Sequence, residues 1–185
     1  MADMQEIYDK LRRGGLSHAG ACGMIGNLRA ESSLVPNIAQ RGMTELSDAE
    51  YTTKFDTVPA ACVYDGVGYG LAQWTFWSRK QALSDFAKSR GLSVGDKNMQ
   101  LDFIISELKS DFAGLYAFLC RTEDIPAAAE RICREYEKPA INNVERRCAL
   151  AMEAEELCSD LAGSANTQII ALLEQILAIL REGGA

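Results

Sequence analysis

The chain has 185 residues, 48% of them hydrophobic and 24% charged, and its formal net charge is −7. This length and composition suit one compact soluble domain with an appendage, and the lack of any run of about eighteen apolar residues excludes a membrane span. The negative charge argues against a nucleic-acid binder that is held by phosphate contacts.

The first predicted elements are two helices, separated by Gly14 and Gly15. The first, at residues 3–13, carries Ile7 and Leu11 one turn apart. This segment mixes acidic and basic residues and lacks the apolar core of a signal peptide. No export signal is therefore expected at this end of the chain.

The second helix is predicted to begin after Ser17, its N-cap, and to end before Pro36. Glycines recur at every third position of this helix, at Gly20, Gly23 and Gly26. Each glycine inside a helix costs about 1 kcal/mol relative to alanine. The row therefore predicts close backbone contact with another helix, and a central, buried position.

Glu31 lies in the last turn of this second helix. The negative end of the helix dipole and a low dielectric both favour the protonated form of a carboxyl at such a position. A glutamate that stays protonated near neutral pH can serve as a general acid. For Glu31 taken alone, a solvated residue at a helix end is the commoner interpretation.

Residues 37–67 show a looser pattern, which predicts a loop with a small hairpin, such as a β-containing lobe beside a cleft. The stretch DGVGYGLAQWT follows, and its alternating glycines indicate a tight backbone that can be approached closely. Tyr69, Trp74 and Trp77 can stack on the apolar faces of sugars, or they can fill the core. Gln73 offers a donor and an acceptor, which suit an acetamido group or a positioned water.

The rest of the chain is predicted to be helical. The expected helices cover residues 78–90, 97–109, 114–119, 124–136 and 142–161. A linker at residues 163–167 would then join a domain of residues 1–162 to a C-terminal amphipathic helix at residues 168–185.

The apolar face of the C-terminal helix is too wide for a simple dimer. This face is formed by Ile169, Leu172, Leu173, Ile176, Leu177, Ile179 and Leu180. We expect it to drive a homo-oligomer of three or more chains, and packing of the helix on its own domain is the alternative.

The six cysteines and the single histidine, His18, give little basis for a metal site or a nucleophile. No C-x-x-C pair occurs, so a zinc site is not expected, and we expect no other cofactor. Most of the cysteines lie among Ala and Leu and are expected to be buried thiols. A cysteine amidase or peptidase would have to use His18, which makes that class unfavourable.

Five segments, taken together, resemble the phage tail-type lysozyme family, whose lysozyme-like domains occur in phage endolysins and tail-tip enzymes that cleave peptidoglycan. The segments are AESSLVPN (30–37), DGVGYGLAQWT (65–75), SRKQAL (78–83), MQLDF (99–103) and EYEKPA (135–140). The resemblance covers about residues 1–157. It implies a mainly α, α+β lysozyme-like fold, in which a helical domain and a small β-containing lobe form a cleft.

The wider lysozyme superfamily pairs a Glu-Ser at a helix end with a later Gly-Leu-x-Gln, and this chain has Glu31-Ser32 and Gly70-Leu71-Ala72-Gln73. The resemblance implies that Glu31 is the catalytic acid and that Gln73 lies on the cleft wall. We therefore expect Glu31 to protonate the glycosidic oxygen between N-acetylmuramic acid and N-acetylglucosamine, and Tyr69, Gln73 and Trp74 to hold the glycan strand. Water or the muramic 6-hydroxyl would complete the reaction, as in a lysozyme or a lytic transglycosylase respectively. A non-catalytic module that binds glycan or assembles a tail is the competing class.

No motif identifies a second carboxylate. Asp48, Asp56 and Asp65 lie where it would be expected, and Asp65 is preferred because it adjoins the glycine-rich stretch. Asp65 could equally be a turn residue, since some single-glutamate members of the superfamily need no second carboxylate. Glu137 could line the cleft or pair with Lys138.

The resemblance also implies where the protein acts. Without a signal peptide, a phage lysin would be made in the host cytoplasm and would reach the bacterial cell wall through a separate pore. A virion component fits the same sequence.

Overall fold

The computed structural model describes residues 2–139, 141 and 143–158, and this part of the chain is built almost entirely from helices. The helices are α1 (Ala2–Arg13), α2 (His18–Ser32), α3 (Asp48–Thr57), α4 (Ala60–Val63), α5 (Trp77–Ser89), α6 (Lys97–Ser110), α7 (Ala113–Leu119), α8 (Ile125–Arg131) and α9 (residues 144–158). Helix α8 continues directly into a π-helical segment, Ile132–Glu137. The predicted mainly α class is therefore confirmed.

The predicted linker at residues 163–167 and the oligomerisation helix at residues 168–185 lie outside the described residues, and both stay predictions. Within the described ranges, no helix has both the length and the apolar character needed to cross a bilayer.

Helix α2 occupies the centre of the domain, and most of its residues are buried. Ser17 caps it as predicted, because its hydroxyl accepts a hydrogen bond of 2.9 Å from the Gly20 amide. The helix ends where Ser33 turns into the left-handed conformation, at φ 53°.

The glycine row of α2 faces three neighbouring elements at very short range. A β-carbon added at any of the three positions would come closer than 3.0 Å to an atom of Leu119 (from Gly20), Ala128 (from Gly23) or Arg147 (from Gly26). The close backbone contact predicted from the glycines is confirmed, and it involves the end of α7, helix α8 and helix α9. The absence of side chains at these positions is what lets the three elements pack against α2.

The loop with a small hairpin predicted at residues 37–67 is wrong where α3 (Asp48–Thr57) and α4 (Ala60–Val63) form, and the remainder of this range lies outside helices. Ser47 and Glu50 form a reciprocal capping box that fixes the start of α3. Tyr51 and Phe55, one turn apart, bury the inner face of this helix. The buried apolar residues of this region therefore belong to helix faces and not to strands.

The β-containing part of the described chain consists of two isolated antiparallel bridges, which join Ala39 to Tyr69 and Tyr69 to Trp74. The second bridge closes a tight turn that contains Gly70, at φ +78°, a conformation that glycine adopts readily. A β-carbon at Gly70 would lie 2.8 Å from the amide of Gln100 on α6. The turn can therefore rest directly against α6.

Buried Gln100 fixes this turn. Its Oε1 accepts a hydrogen bond of 2.8 Å from the Leu71 amide. Its Nε2 donates to the carbonyls of Pro36 and Val94, at 2.6 Å each. One side chain of α6 thus joins three loop segments, and it holds the turn next to the end of α2.

Candidate active site

A cavity of about 830 Å³ opens between the C-terminal end of α2, the 66–76 turn region and the π-helical segment. Glu31 and Gln73, the two residues singled out by the superfamily pattern, both line it. Glu137 lines it from the π-helical segment. The fold therefore brings together motifs that are more than forty residues apart in the sequence.

Glu31 is held by Arg147 on α9, whose Nη2 donates to Glu31 Oε1 at 2.6 Å. The Glu31 side chain is 18% exposed, and that of Arg147 is 6% exposed. Arg147 Nη1 also donates to the side-chain oxygen of Asn27, one turn earlier on α2, at 3.0 Å. The amide of Asn27 donates to the carbonyls of Gly23 and Ala129. A chain of buried polar contacts thus fixes the position of the Glu31 carboxyl.

Glu137, the last residue of the π-helical segment, is the second carboxyl on the cavity. The residue as a whole is partly exposed, but its Oε1 is buried and has no hydrogen-bond partner in the described part of the chain. The pKa of Glu137 is raised well above its usual value; burial is the largest cause, and repulsion from Glu31 is the second. The positive charges of Arg79 and Arg147 lower this pKa, but they do not cancel the increase. No ion pair joins Glu137 to Lys138, so the proposed pairing of these neighbours is not observed.

A third carboxylate, Glu107, lies behind the cavity wall; it is 4% exposed, and both of its oxygens accept hydrogen bonds. Arg79 donates to both of its oxygens, at 2.7 and 2.8 Å. Trp74 Nε1 donates to Oε2 at 3.0 Å, and the Tyr136 hydroxyl donates to the same oxygen at 2.6 Å. The guanidinium of Arg79 lies 4.4 Å from the centre of the Tyr136 ring. Since Arg79 and Tyr136 line the cavity, this cluster forms one of its walls.

The three residues predicted to hold a glycan occupy different environments. Gln73 reaches the cavity, and its amide donates to the carbonyls of Gly70 and Ile38, at 3.0 and 3.3 Å. Tyr69 and Trp74 are buried, and neither is among the residues that line the cavity. From the core side, Tyr69 and Trp74 support the turn that carries Gln73.

Aromatic rings at the surface beside the cavity belong to other residues. Trp77 is 50% exposed, and it stacks on Tyr64, which is 68% exposed, at a centroid distance of 5.9 Å. Phe76 is also exposed and lines the cavity. We call Tyr64, Phe76 and Trp77 the aromatic platform. Sequence reasoning found Trp77 but missed Phe76 and Tyr64, although both flank the glycine-rich stretch.

Asp65, the preferred second carboxylate, does not line the cavity. It accepts hydrogen bonds of 2.8 Å from the Tyr51 hydroxyl and from the ammonium of Lys80, and one of 2.9 Å from the Val67 amide. Lys80 is fully buried; burial lowers its pKa, and the hydrogen bond that it donates to Asp65 opposes that effect. This environment is that of a turn residue that balances a buried cation.

The two rival aspartates also lie away from the cavity. Asp56 accepts hydrogen bonds from the Ser93 hydroxyl and the Val94 amide, at 2.6 and 2.8 Å. Asp48 accepts one from the Ala39 amide at 3.0 Å. Among the described residues, the carboxyls that line the cavity are those of Glu31 and Glu137.

The single histidine, His18, lies at the start of α2, at the opposite end of the helix from Glu31 and the cavity. His18 Nδ1 pairs with the Tyr8 hydroxyl at 2.7 Å, and its Nε2 is 3.9 Å from the Cys22 thiol. The pKa of Cys22 is raised to about 12; burial is the largest cause, and nearby Cys158 is the second. A buried thiol with such a pKa is a poor nucleophile, which weighs against a cysteine peptidase. In the described ranges, no three His, Cys, Asp or Glu side chains form a group able to hold a metal ion.

The described part of the chain is a mainly α domain with a lysozyme-like fold, and its cavity is lined by Glu31, from the end of α2, and by Gln73, from the Gly-Leu-x-Gln turn. The family model of the phage tail lysozymes matches residues 2–157, and the chain therefore belongs to the phage tail lysozyme family. No curated protein matches the chain. Family membership indicates a lysozyme-like enzyme directed at peptidoglycan, which acts on the cell wall or as a virion component.

Proposed function

We propose that the protein is a phage endolysin or virion-associated lysozyme that cleaves the bond between N-acetylmuramic acid and N-acetylglucosamine, with Glu31 as the general acid. The observation that carries this proposal is the position of Glu31, which lies at the end of a buried helix, on the wall of a cavity shared with Gln73. Family membership supplies the substrate class.

In the proposed reaction, Glu31 gives its proton to the glycosidic oxygen as the bond from that oxygen to the anomeric carbon breaks. Positive charge then develops on the sugar, in an oxocarbenium-like state. Because the contact with Arg147 keeps the carboxyl on the cavity wall, the acid is oriented before the substrate arrives.

The glycan strand is proposed to run from the cavity over the aromatic platform. Phe76 belongs to both surfaces, so the two are continuous. Exposed aromatic rings suit the apolar faces of sugar rings, and the Gln73 side chain suits their acetamido groups. Tyr69 and Trp74 contribute indirectly, because they hold the turn that carries Gln73.

A lytic transglycosylase is the second candidate, and one observation favours it. None of Asp48, Asp56 and Asp65 lines the cavity, and Glu137, which does line it, has a pKa that burial raises well above its usual value, so a carboxylate that could activate water is disfavoured there. Attack by the muramic 6-hydroxyl needs no such aspartate, and it would give an anhydro-muramyl product.

The test is mass spectrometry of the muropeptides released from purified peptidoglycan by the wild type and by Glu31→Gln. The variant should keep the fold and lose about 10²-fold or more in rate, the usual contribution of a general acid. Glu153→Gln is the matched control, since Glu153 also joins α9 to α2, through Arg29 at 2.9 Å, but it lies on the exposed surface.

Reducing-end products from the wild type would establish a muramidase, and anhydro-muramyl products would establish a transglycosylase. Full activity in Glu31→Gln would contradict the assignment of the acid. If the folded wild type releases no products, the chain is a glycan-binding or assembly module instead.

A further inference from the structure

Three carboxyls and two guanidinium groups either line the cavity or contact a residue that lines it, and their partners can be assigned one by one. Arg79 is bound by Glu107 through two hydrogen bonds. Arg147 is bound by Glu31. Each cation therefore already has its carboxylate, and Glu137 forms no ion pair within the described part of the chain.

The surroundings of Glu137 make a third negative charge costly. Its buried Oε1 lacks a hydrogen-bond partner among the described residues, and an unpaired buried carboxylate is strongly unfavourable. The charged groups that act on it are Glu31 from α2, Arg79 from α5, Glu107 from α6 and Arg147 from α9. With Glu137 neutral, the charges of the two guanidiniums and of the two remaining carboxylates cancel, and Lys138, which also lines the cavity, is exposed to solvent.

We propose that Glu31 and Glu137 act as a pair that holds one proton between them at neutral pH, with Glu137 as the positioning residue that stores this proton for Glu31. The inference rests on the proposed function of the cavity. Its basis is geometric: both carboxyls line one cavity, Arg147 holds the Glu31 carboxyl in place, and the buried Oε1 of Glu137 has no hydrogen-bond partner among the described residues.

The proton balance of the step is simple. The proton held by the pair reaches the glycosidic oxygen through Glu31 as the glycosidic bond breaks, and the bonding electrons leave with that oxygen. Both carboxyls are then ionised, which favours the positive charge on the sugar. Addition of water, or of the muramic 6-hydroxyl, to the anomeric carbon releases one proton, which returns to the pair.

The first test is the pH–rate profile of Glu137→Gln on peptidoglycan. Glutamine cannot hold the proton, so the alkaline limb of the profile should move to lower pH by about one unit or more, with at least a roughly tenfold loss of rate at pH 7. Glu135→Gln is the control, because Glu135 belongs to the same segment but pairs with Arg131. An unshifted limb in Glu137→Gln would overturn the pair.

The second test needs no activity and keeps Glu137 in place. In protein with ¹³C-labelled glutamate side chains, the titration of the Glu137 carboxyl is followed by NMR in the wild type and in Glu31→Gln. Burial is the largest cause of the raised pKa of Glu137, and repulsion from Glu31 is the second. Removing the charge of Glu31 should therefore lower the titration midpoint of Glu137. An unchanged midpoint would show that the two carboxyls are not coupled and would overturn the inference.

The two tests separate this inference from the proposed function. An active wild type with an unaltered Glu137→Gln profile contradicts the pair and leaves the lysozyme assignment intact. A wild type that releases no products contradicts the lysozyme assignment, and the NMR titration then decides alone whether the carboxyls are coupled.

Discussion

The variant Glu107→Gln tests whether the cavity wall depends on a buried ion pair. Glutamine has nearly the same size as glutamate, but it carries no charge to face the guanidinium of Arg79. Burial lowers the pKa of Arg79, but the hydrogen bonds with Glu107 outweigh this effect and raise the pKa overall. Because an arginine guanidinium is not deprotonated in proteins, Arg79 stays charged in the variant, in a site built for an anion.

The expected cost follows from the burial of the pair. Glu107 is 4% exposed and the Arg79 side chain 23%, so solvent replaces little of the lost interaction. Removing one partner of a buried ion pair costs about 3–5 kcal/mol. The same change also leaves Trp74 and Tyr136 facing an amide in place of a carboxylate. We expect a loss of about 3 kcal/mol or more in the free energy of unfolding.

Urea denaturation followed by circular dichroism measures this loss, and a constant slope against urea shows that the extent of unfolding is unchanged. Glu130→Gln is the control: Glu130 pairs with Arg134 at 2.8 Å on an exposed helix face, where such a pair contributes about 0.5 kcal/mol. A loss below about 1 kcal/mol in Glu107→Gln would refute the argument that the wall rests on this ion pair.

Two further variants test the remaining site assignments. Asp65→Asn should lower the free energy of unfolding by about 3 kcal/mol, because Lys80 is left buried without its anion. The kcat of the folded variant should stay close to that of the wild type. Normal stability with a kcat lower by about 10²-fold would instead make Asp65 catalytic. Trp77→Ala should raise KM about fivefold, equivalent to about 1 kcal/mol of stacking, with kcat unchanged. Leu92→Ala, a truncation of another exposed hydrophobic residue that does not line the cavity, is the control in the same kinetic assay, and equal KM values for the two variants would contradict a glycan contact at Trp77.

Features with a local physical cause could be predicted from the sequence. The N-cap Ser17 and the glycine row of α2 follow from helix energetics alone, and both are confirmed. The start of α3 was predictable in the same way, because Ser47 and Glu50 have the spacing of a capping box. That signal was present in the sequence, and the loop prediction for this region overlooked it.

The exposure of the aromatic rings could not be predicted in this way. Tyr69, Trp74 and Trp77 lie within nine residues, yet the first two are buried and the third is at the surface. The difference is set by α6, where Gln100 holds the turn and Glu107 receives the Trp74 indole N–H. No local pattern near residue 70 contains information about these distant partners.

The same limit applies to the carboxyls of the site. Glu31 was identified by its position at a helix end, whereas its partner Arg147 lies 116 residues away in the sequence. Asp65 was favoured because it adjoins the glycine-rich stretch, but adjacency along the chain does not determine which way a side chain faces. The contacts with Lys80 and Tyr51 hold Asp65 away from the cavity, while the fold brings Glu137 to it.

The packing of α2 and the geometry of the site depend on the same residue of α9. A β-carbon at Gly26 would lie 2.6 Å from the carbonyl oxygen of Arg147, so the glycine is what lets the backbone of α9 come this close. From that position the Arg147 side chain reaches both Asn27 and Glu31. A larger residue at position 26 would push α9 outward and draw the guanidinium away from Glu31. The helix cost of this glycine is therefore offset by the contact that orients the proposed acid.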